Sequence, residues 1–170
     1  MFENELDKPV TEVMFEHNIT VMKLPLRRVT YSDIDKAKKA IKEYLDNKDG
    51  DVDYIDAAKL QVYMGILKRA EVQEYQNTLH TEVHIIRLGN LVFATNPYEL
   101  FLDYGNQIRA RSKAKQTFLI QLCCGSKGYL PTEKAEKGGH YSAYVSSGTS
   151  GHEGGDLLVR KTLTEINKMF

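Results

Sequence analysis

Between residues 18 and 30 the segment NITVMKLPLRRVT places apolar side chains at short, nearly alternating spacing. It reads as a strand passing through Pro25, which has no amide hydrogen to donate and so suits an edge or irregular strand. The pattern then changes period. Ser32 followed by Asp35 forms a helix-start signal, and Ala37, Ala40, Ile41, Tyr44 and Leu45 recur at helical spacing, which predicts a helix over about 33–47. NKDGD, residues 47–51, is a turn. The following stretch, 53–76, is rich in helix formers with apolar residues at mixed spacing and predicts one long or broken helix, interrupted near Gly65.

From Thr81 to Asn96, two apolar runs flank the turn-like pair Gly89-Asn90, the pattern of a β-hairpin. In YELFLDYGNQIRARS, residues 98–112, Phe101, Tyr104 and Ile108 share one helical stripe while Glu99 falls off it. QTFLIQLCC, 116–124, is a nearly continuous apolar run of the kind expected of a strand buried on both faces. A final helix is predicted from about 155 to 170, with Leu158, Leu163 and Ile166 inward. Strand, helix and strand in succession imply a βαβ unit, so the fold class is α/β: a mixed sheet with flanking helices, expected to be part of a larger α/β domain. In a βαβ unit the loops leaving the strand ends lie side by side. One holds Asn96, Pro97 and Glu99; the other, residues 124–141, holds Tyr129, His140 and Tyr141.

Composition narrows the function classes. Lys plus Arg equals Asp plus Glu, 23 against 23, so no global field draws nucleic acid. No apolar run approaches the roughly 20 residues that cross a bilayer, and MFENELDKPV lacks the basic and apolar regions of a secretory signal, so a soluble chain is expected. Cys123 and Cys124 are the only cysteines and, being adjacent, cannot staple distant segments.

Each candidate chemistry has a plainer counterpart. Pro97 followed by Glu99 suits the first turn of a helix, where an acid complements the positive end of the macrodipole. A Cys124–His140 nucleophile pair lacks an evident activating group. GSKG, 125–128, and GTSGHEGGD, 148–156, lack the order of a phosphate-binding loop and read as flexible loops. His80 and His84 have the i, i+4 spacing of helical metal ligands but fall where a strand begins. What remains is Glu99 with Tyr129 and Tyr141 across adjacent loops: a carboxylate, a phenol able to ligate, and a phenol able to donate to an oxyanion.

The run from Gly89 to Tyr141, through GNLVFATNPYELFLDYGNQIRARS, TFLIQLCCGSKGYLPT and GGHYSA, resembles the last part of the catalytic domain of the neutral ceramidase family, especially its short bacterial members. That family holds a zinc ion with two histidines from the earlier part of the domain and a glutamate and a tyrosine from this part. The resemblance implies Glu99, in NPYE, and Tyr129, in GYLPT, as the metal ligands. A second family tyrosine lies twelve places further on and stabilises the tetrahedral oxyanion, which implies Tyr141 as a catalytic residue. The implied activity is hydrolysis of an N-acyl amide in a sphingolipid-like substrate by a zinc-bound water.

The chain also departs from the family. The two zinc histidines and the glycine-rich, serine-bearing substrate segment have no counterpart in residues 1–80, Ser142 stands where an acidic residue follows the second tyrosine, and the C-terminal immunoglobulin-like domain is absent. Residues 1–170 are therefore expected to form the C-terminal half of such a catalytic domain. On that reading the remaining zinc ligands are expected outside the chain, the N-terminal half of the same enzyme is its expected partner, and the chain alone is expected to be inactive. An apolar edge left by the missing half would favour self-association. The rival expectation is a non-catalytic, ceramidase-derived binding or interaction module.

Overall fold

The computed structural model describes residues 12–170; the opening MFENELDKPV lies outside them. The chain runs β1 (Phe15–Pro25), α1 (Tyr31–Asp46), α2 (Tyr54–Val72), β2 (Thr78–Leu88), β3 (Leu91–Thr95), β4 (Glu99–Leu100), α3 (Leu102–Arg111), β5 (Gln116–Ile120), β6 (Tyr129–Leu130), α4 (Glu133–Gly138) and α5 (His152–Lys168). Two short helical turns, Tyr141–Ala143 and Val145–Ser147, precede α5. The main sheet has the order β1-β2-β3-β5. β1 and β3 both pair antiparallel with β2, while β3 and β5 are parallel and joined through α3. This is the α/β fold with a βαβ unit that the alternation of patterns predicts.

Side-chain alternation divides the sheet into two unlike faces. Met22, Leu24, Val83, Ile85, Val92 and Ala94 are buried on one face, against Tyr104 and Ile108 of α3 and Leu158, Val159, Leu163 and Ile166 of α5. The helices that pack on the sheet among the described residues, α3 and α5, both serve this face. The other face carries Phe15, Ile19, Val21 and Ile120 exposed to solvent, with Phe93 and Phe118 stacked at 4.9 Å between ring centroids.

Several local expectations change. The strand read over 18–30 as passing through Pro25 instead spans Phe15–Pro25 and stops at the proline. The 116–124 run predicts a strand buried on both faces; instead β5 is the edge strand and Ile120 is exposed, because the described residues supply a helix layer to only one face. The helix near 33–47 starts two residues early. Its cap is Thr30, which exchanges hydrogen bonds with Asp33 in a capping box, rather than Ser32. α2 is continuous through Gly65: a Cβ there would strike Ser146, so the glycine marks a close approach between helix and loop rather than a break. No described helix is long and apolar enough to cross a membrane.

Candidate functional site

The loop after β3 does not open a helix at Glu99. Asn96 is buried and its side-chain oxygen accepts from the Tyr98 amide at 3.1 Å, closing a tight turn around Pro97. Tyr98 then points into the core, fully buried, its hydroxyl 3.1 Å from that of Thr81. From there the chain is extended. The amides of Glu99 and Phe101 donate to the carbonyls of Gly128 and Leu130, and Gln121 accepts from the Leu100 amide at 2.8 Å. The backbone of residue 99 is thus committed to a ladder, and α3 begins only at Leu102. The helix-cap reading of Glu99 falls for that reason.

That ladder is the second sheet, two parallel strands in which Glu99 lies opposite Tyr129 and Leu100 opposite Leu130. Leu100 and Leu130 point into the core, so by strand alternation their neighbours Glu99 and Tyr129 point outward together. Hydrogen bonding to the Glu99 carboxylate, then desolvation, then the carboxylate charge, holds the Tyr129 phenol above its ordinary pKa. Tyr141, at the start of its helical turn, meets the Tyr129 ring edge-on with centroids 5.8 Å apart. The three residues singled out in sequence, 42 positions from first to last, therefore form one cluster.

Packing fixes this cluster from below. Gly128 bridges to Gly148, and a Cβ on Gly148 would collide with the Tyr129 carbonyl oxygen. The Ser147 hydroxyl donates to the Tyr141 carbonyl. Thr132, last residue of GYLPT, caps α4 by accepting from the Ala135 amide at 3.3 Å. The cluster nevertheless stands open: Glu99 and Tyr129 are half-buried and Tyr141 is 70% exposed.

Glu99 and Tyr129 offer two adjacent oxygen donors on one edge, which suits part of a zinc site. Among the described residues, the group of His, Cys, Asp and Glu side chains able to converge on one ion does not include Glu99. Within this chain the pair supplies two ligands where a catalytic zinc needs three and an open position.

Other candidates are rearranged. Cys124 meets His84, at 3.5 Å between sulfur and Nε2, rather than His140. His80 and His84 lie on one strand, where four residues span about 13 Å, too far to share an ion. Lys127 of GSKG donates to the His80 carbonyl at 2.6 Å instead of facing an anion. The 148–156 segment is not a flexible loop: from His152 it is already the first turn of α5, three residues before the expected start, and Gly154 and Gly155 are buried there against Ser150 and Tyr104, a packing role. The grouping of Glu82, His84 and Cys124 is absent from the sequence expectations. Its signal was the i, i+2 placement of Glu82 and His84 on one strand face; the third member comes from a loop 40 residues away.

Compared with protein-family models, with curated proteins and with solved structures, the chain matches none.

Proposed function

We propose that this chain is the C-terminal segment of a zinc-dependent amidohydrolase resembling neutral ceramidase, acting on an N-acyl amide of a sphingolipid-like substrate. The observation that carries the reading is the Glu99–Tyr129 pair, held opposite each other in a two-residue ladder with Tyr141 packed on the second ring. Glu99 and Tyr129 would hold the metal from one side. Zinc, when bound, supplies an activated water and polarises the amide carbonyl. Tyr141, exposed beside the pair, offers its phenolic hydrogen to the oxyanion that develops on that carbonyl.

Two features support a divided site. The cluster is exposed rather than enclosed, and one face of the main sheet, which carries Phe15, Ile19, Val21 and Ile120, has no described helix packed on it. Both suit a chain completed by the N-terminal half of the same enzyme, which would bring the remaining ligands. The alternative, a ceramidase-derived binding or interaction module without catalysis, draws on the two-ligand limit among the described residues.

The test is capture of the endogenous protein with an antibody to this region, followed by assay of N-acyl sphingoid hydrolysis with and without a metal chelator. We expect chelator-sensitive hydrolysis. E99Q in the assembled protein should abolish it, and Y141F should lower kcat by about 100- to 1,000-fold, the usual effect of losing an oxyanion donor. Full activity in E99Q would overturn the reading and leave the binding module.

A further inference from the structure

The open face of the main sheet carries a second constellation, separate from Glu99 and Tyr129. Glu82 and His84 project from it at alternate positions of β2, and the loop after β5 brings Cys124 over them. His84 Nε2 stands 3.1 Å from a Glu82 carboxylate oxygen and 3.5 Å from the Cys124 sulfur. The three potential ligand atoms lie within 4.8 Å of one another. We propose that Glu82, His84 and Cys124 form a binding site for one zinc ion or a similar borderline-soft divalent cation.

The spacing is that of a coordination shell. Zinc bonds of about 2.0 Å to nitrogen, 2.1 Å to oxygen and 2.3 Å to sulfur, set at tetrahedral angles, place the ligand atoms about 3.4–3.6 Å apart. Around His84 Nε2, the 3.5 Å to the sulfur lies within that range and the 3.1 Å to the carboxylate falls about 0.3 Å short of it, so these two ligands need little movement to admit a cation. The donor set also selects the ion. Imidazole and thiolate favour zinc over magnesium or calcium. One carboxylate and one thiolate balance the charge of a divalent ion.

The surroundings orient the central ligand. A metal on His84 Nε2 requires the ring proton on Nδ1, and that atom lies 2.9 Å from His17 Nε2 on β1, an acceptor in the matching tautomer. The His84 amide donates to the Thr95 hydroxyl at 2.9 Å, and the Cys123 amide to the Asn96 carbonyl at 3.0 Å, which anchors the strand and the loop. Glu82 and Cys124 are exposed and His84 is half-buried, so an ion can enter and a fourth position remains for water. His17 is a positioning residue, outside the coordination shell.

Cobalt(II) titration of the full 170-residue chain, followed by displacement with zinc, tests the site. One cobalt per chain should bind with a thiolate-to-cobalt charge-transfer absorption, a signature that oxygen ligands such as Glu99 and Tyr129 do not give. C124S should remove the band, H84Q should weaken binding by more than about 100-fold, and H17A by about 10- to 100-fold. E99Q and Y129F should leave both band and affinity unchanged, which separates this site from the amidohydrolase reading. Far-ultraviolet circular dichroism should stay constant across the variants, since none of these side chains lies in the core. Absence of the band in the wild-type chain, or its survival in H84Q with unchanged affinity, would overturn the proposal, because the trio would then be a hydrogen-bonded cluster or a site of the vicinal thiols alone.

Discussion

At residue 148 the chain has room for a hydrogen and nothing larger. Adding a methyl group there drives it into the Tyr129 carbonyl oxygen, across the Gly128–Gly148 bridge that pins β6. G148A should therefore destabilise by about 1–3 kcal/mol, the usual cost of overpacking, seen as a lowered thermal midpoint. It should also displace Tyr129, read as a changed nuclear magnetic resonance shift of that ring, whereas a remote surface substitution would leave the ring where it is. Residue identity and spacing picked out Glu99, Tyr129 and Tyr141, with help from a family resemblance. That Glu99 faces Tyr129 across a ladder depends on a register between segments 30 residues apart, which no local pattern carries.

Among the elements, α1 and α2 show how local chemistry and packing share control. Both helices begin with capping boxes, Thr30 with Asp33 and Asp53 with Asp56. Asp56 does more than cap. Its carboxylate accepts from the Asp53 amide at 2.9 Å, from Lys48 at 2.7 Å and from the Tyr44 hydroxyl at 2.7 Å, tying the inter-helix turn together. Those bonds, the backbone one foremost, hold its pKa far below the ordinary carboxylate value. A depressed folded pKa stabilises fully above the unfolded value of about 3.9 and loses that contribution as pH falls toward the folded value. D56N should lower the thermal midpoint at pH 7, and its gap to wild type should narrow steadily below about pH 4. A gap independent of pH would contradict the assignment. Gly65 sets propensity against packing. Alanine in a helix interior gains about 1 kcal/mol over glycine, but its Cβ would overlap Ser146 backbone and side-chain atoms, an overpacking cost of about 1–3 kcal/mol. G65A should thus show a net loss of stability by denaturant midpoint; a gain would mean that the 145–147 turn yields freely.

For the whole molecule, the two faces of the sheet have opposite fates. One is sealed by α3 and α5; the other displays Phe15, 65% exposed, and Val21, 57% exposed, beside Ile19 on edge strand β1, with Ile120 exposed on the opposite edge strand. Exposed apolar side chains along an edge strand favour association. Sedimentation velocity should show the wild-type chain associating with rising concentration, and I19T/V21T should shift it toward monomer with little change in thermal midpoint, because both side chains are already in solvent and threonine suits a strand. Concentration-independent sedimentation of the wild type would show that this face does not drive association.

The approximate positions of β1, α1, α2, α3, β5 and α5, the 81–96 hairpin, the βαβ unit and the inward faces of α3 and α5 follow from periodicity, because alternation and helical spacing are local consequences of which side chains must leave water, whereas the short β4, β6 and α4 have no such signal. The same logic misjudged β5, since an apolar run states a need for burial on both faces without saying which chain provides the cover. It misread Gly65 as a break and Glu99 as a helix cap, since a close contact with Ser146 and a ladder with Gly128 and Leu130 are made by partners distant in sequence. Tertiary structure alone decided that Glu99 faces Tyr129 and that Cys124 meets Glu82 and His84. Such meetings are fixed by strand register and loop course, which are settled by the packing of the whole chain.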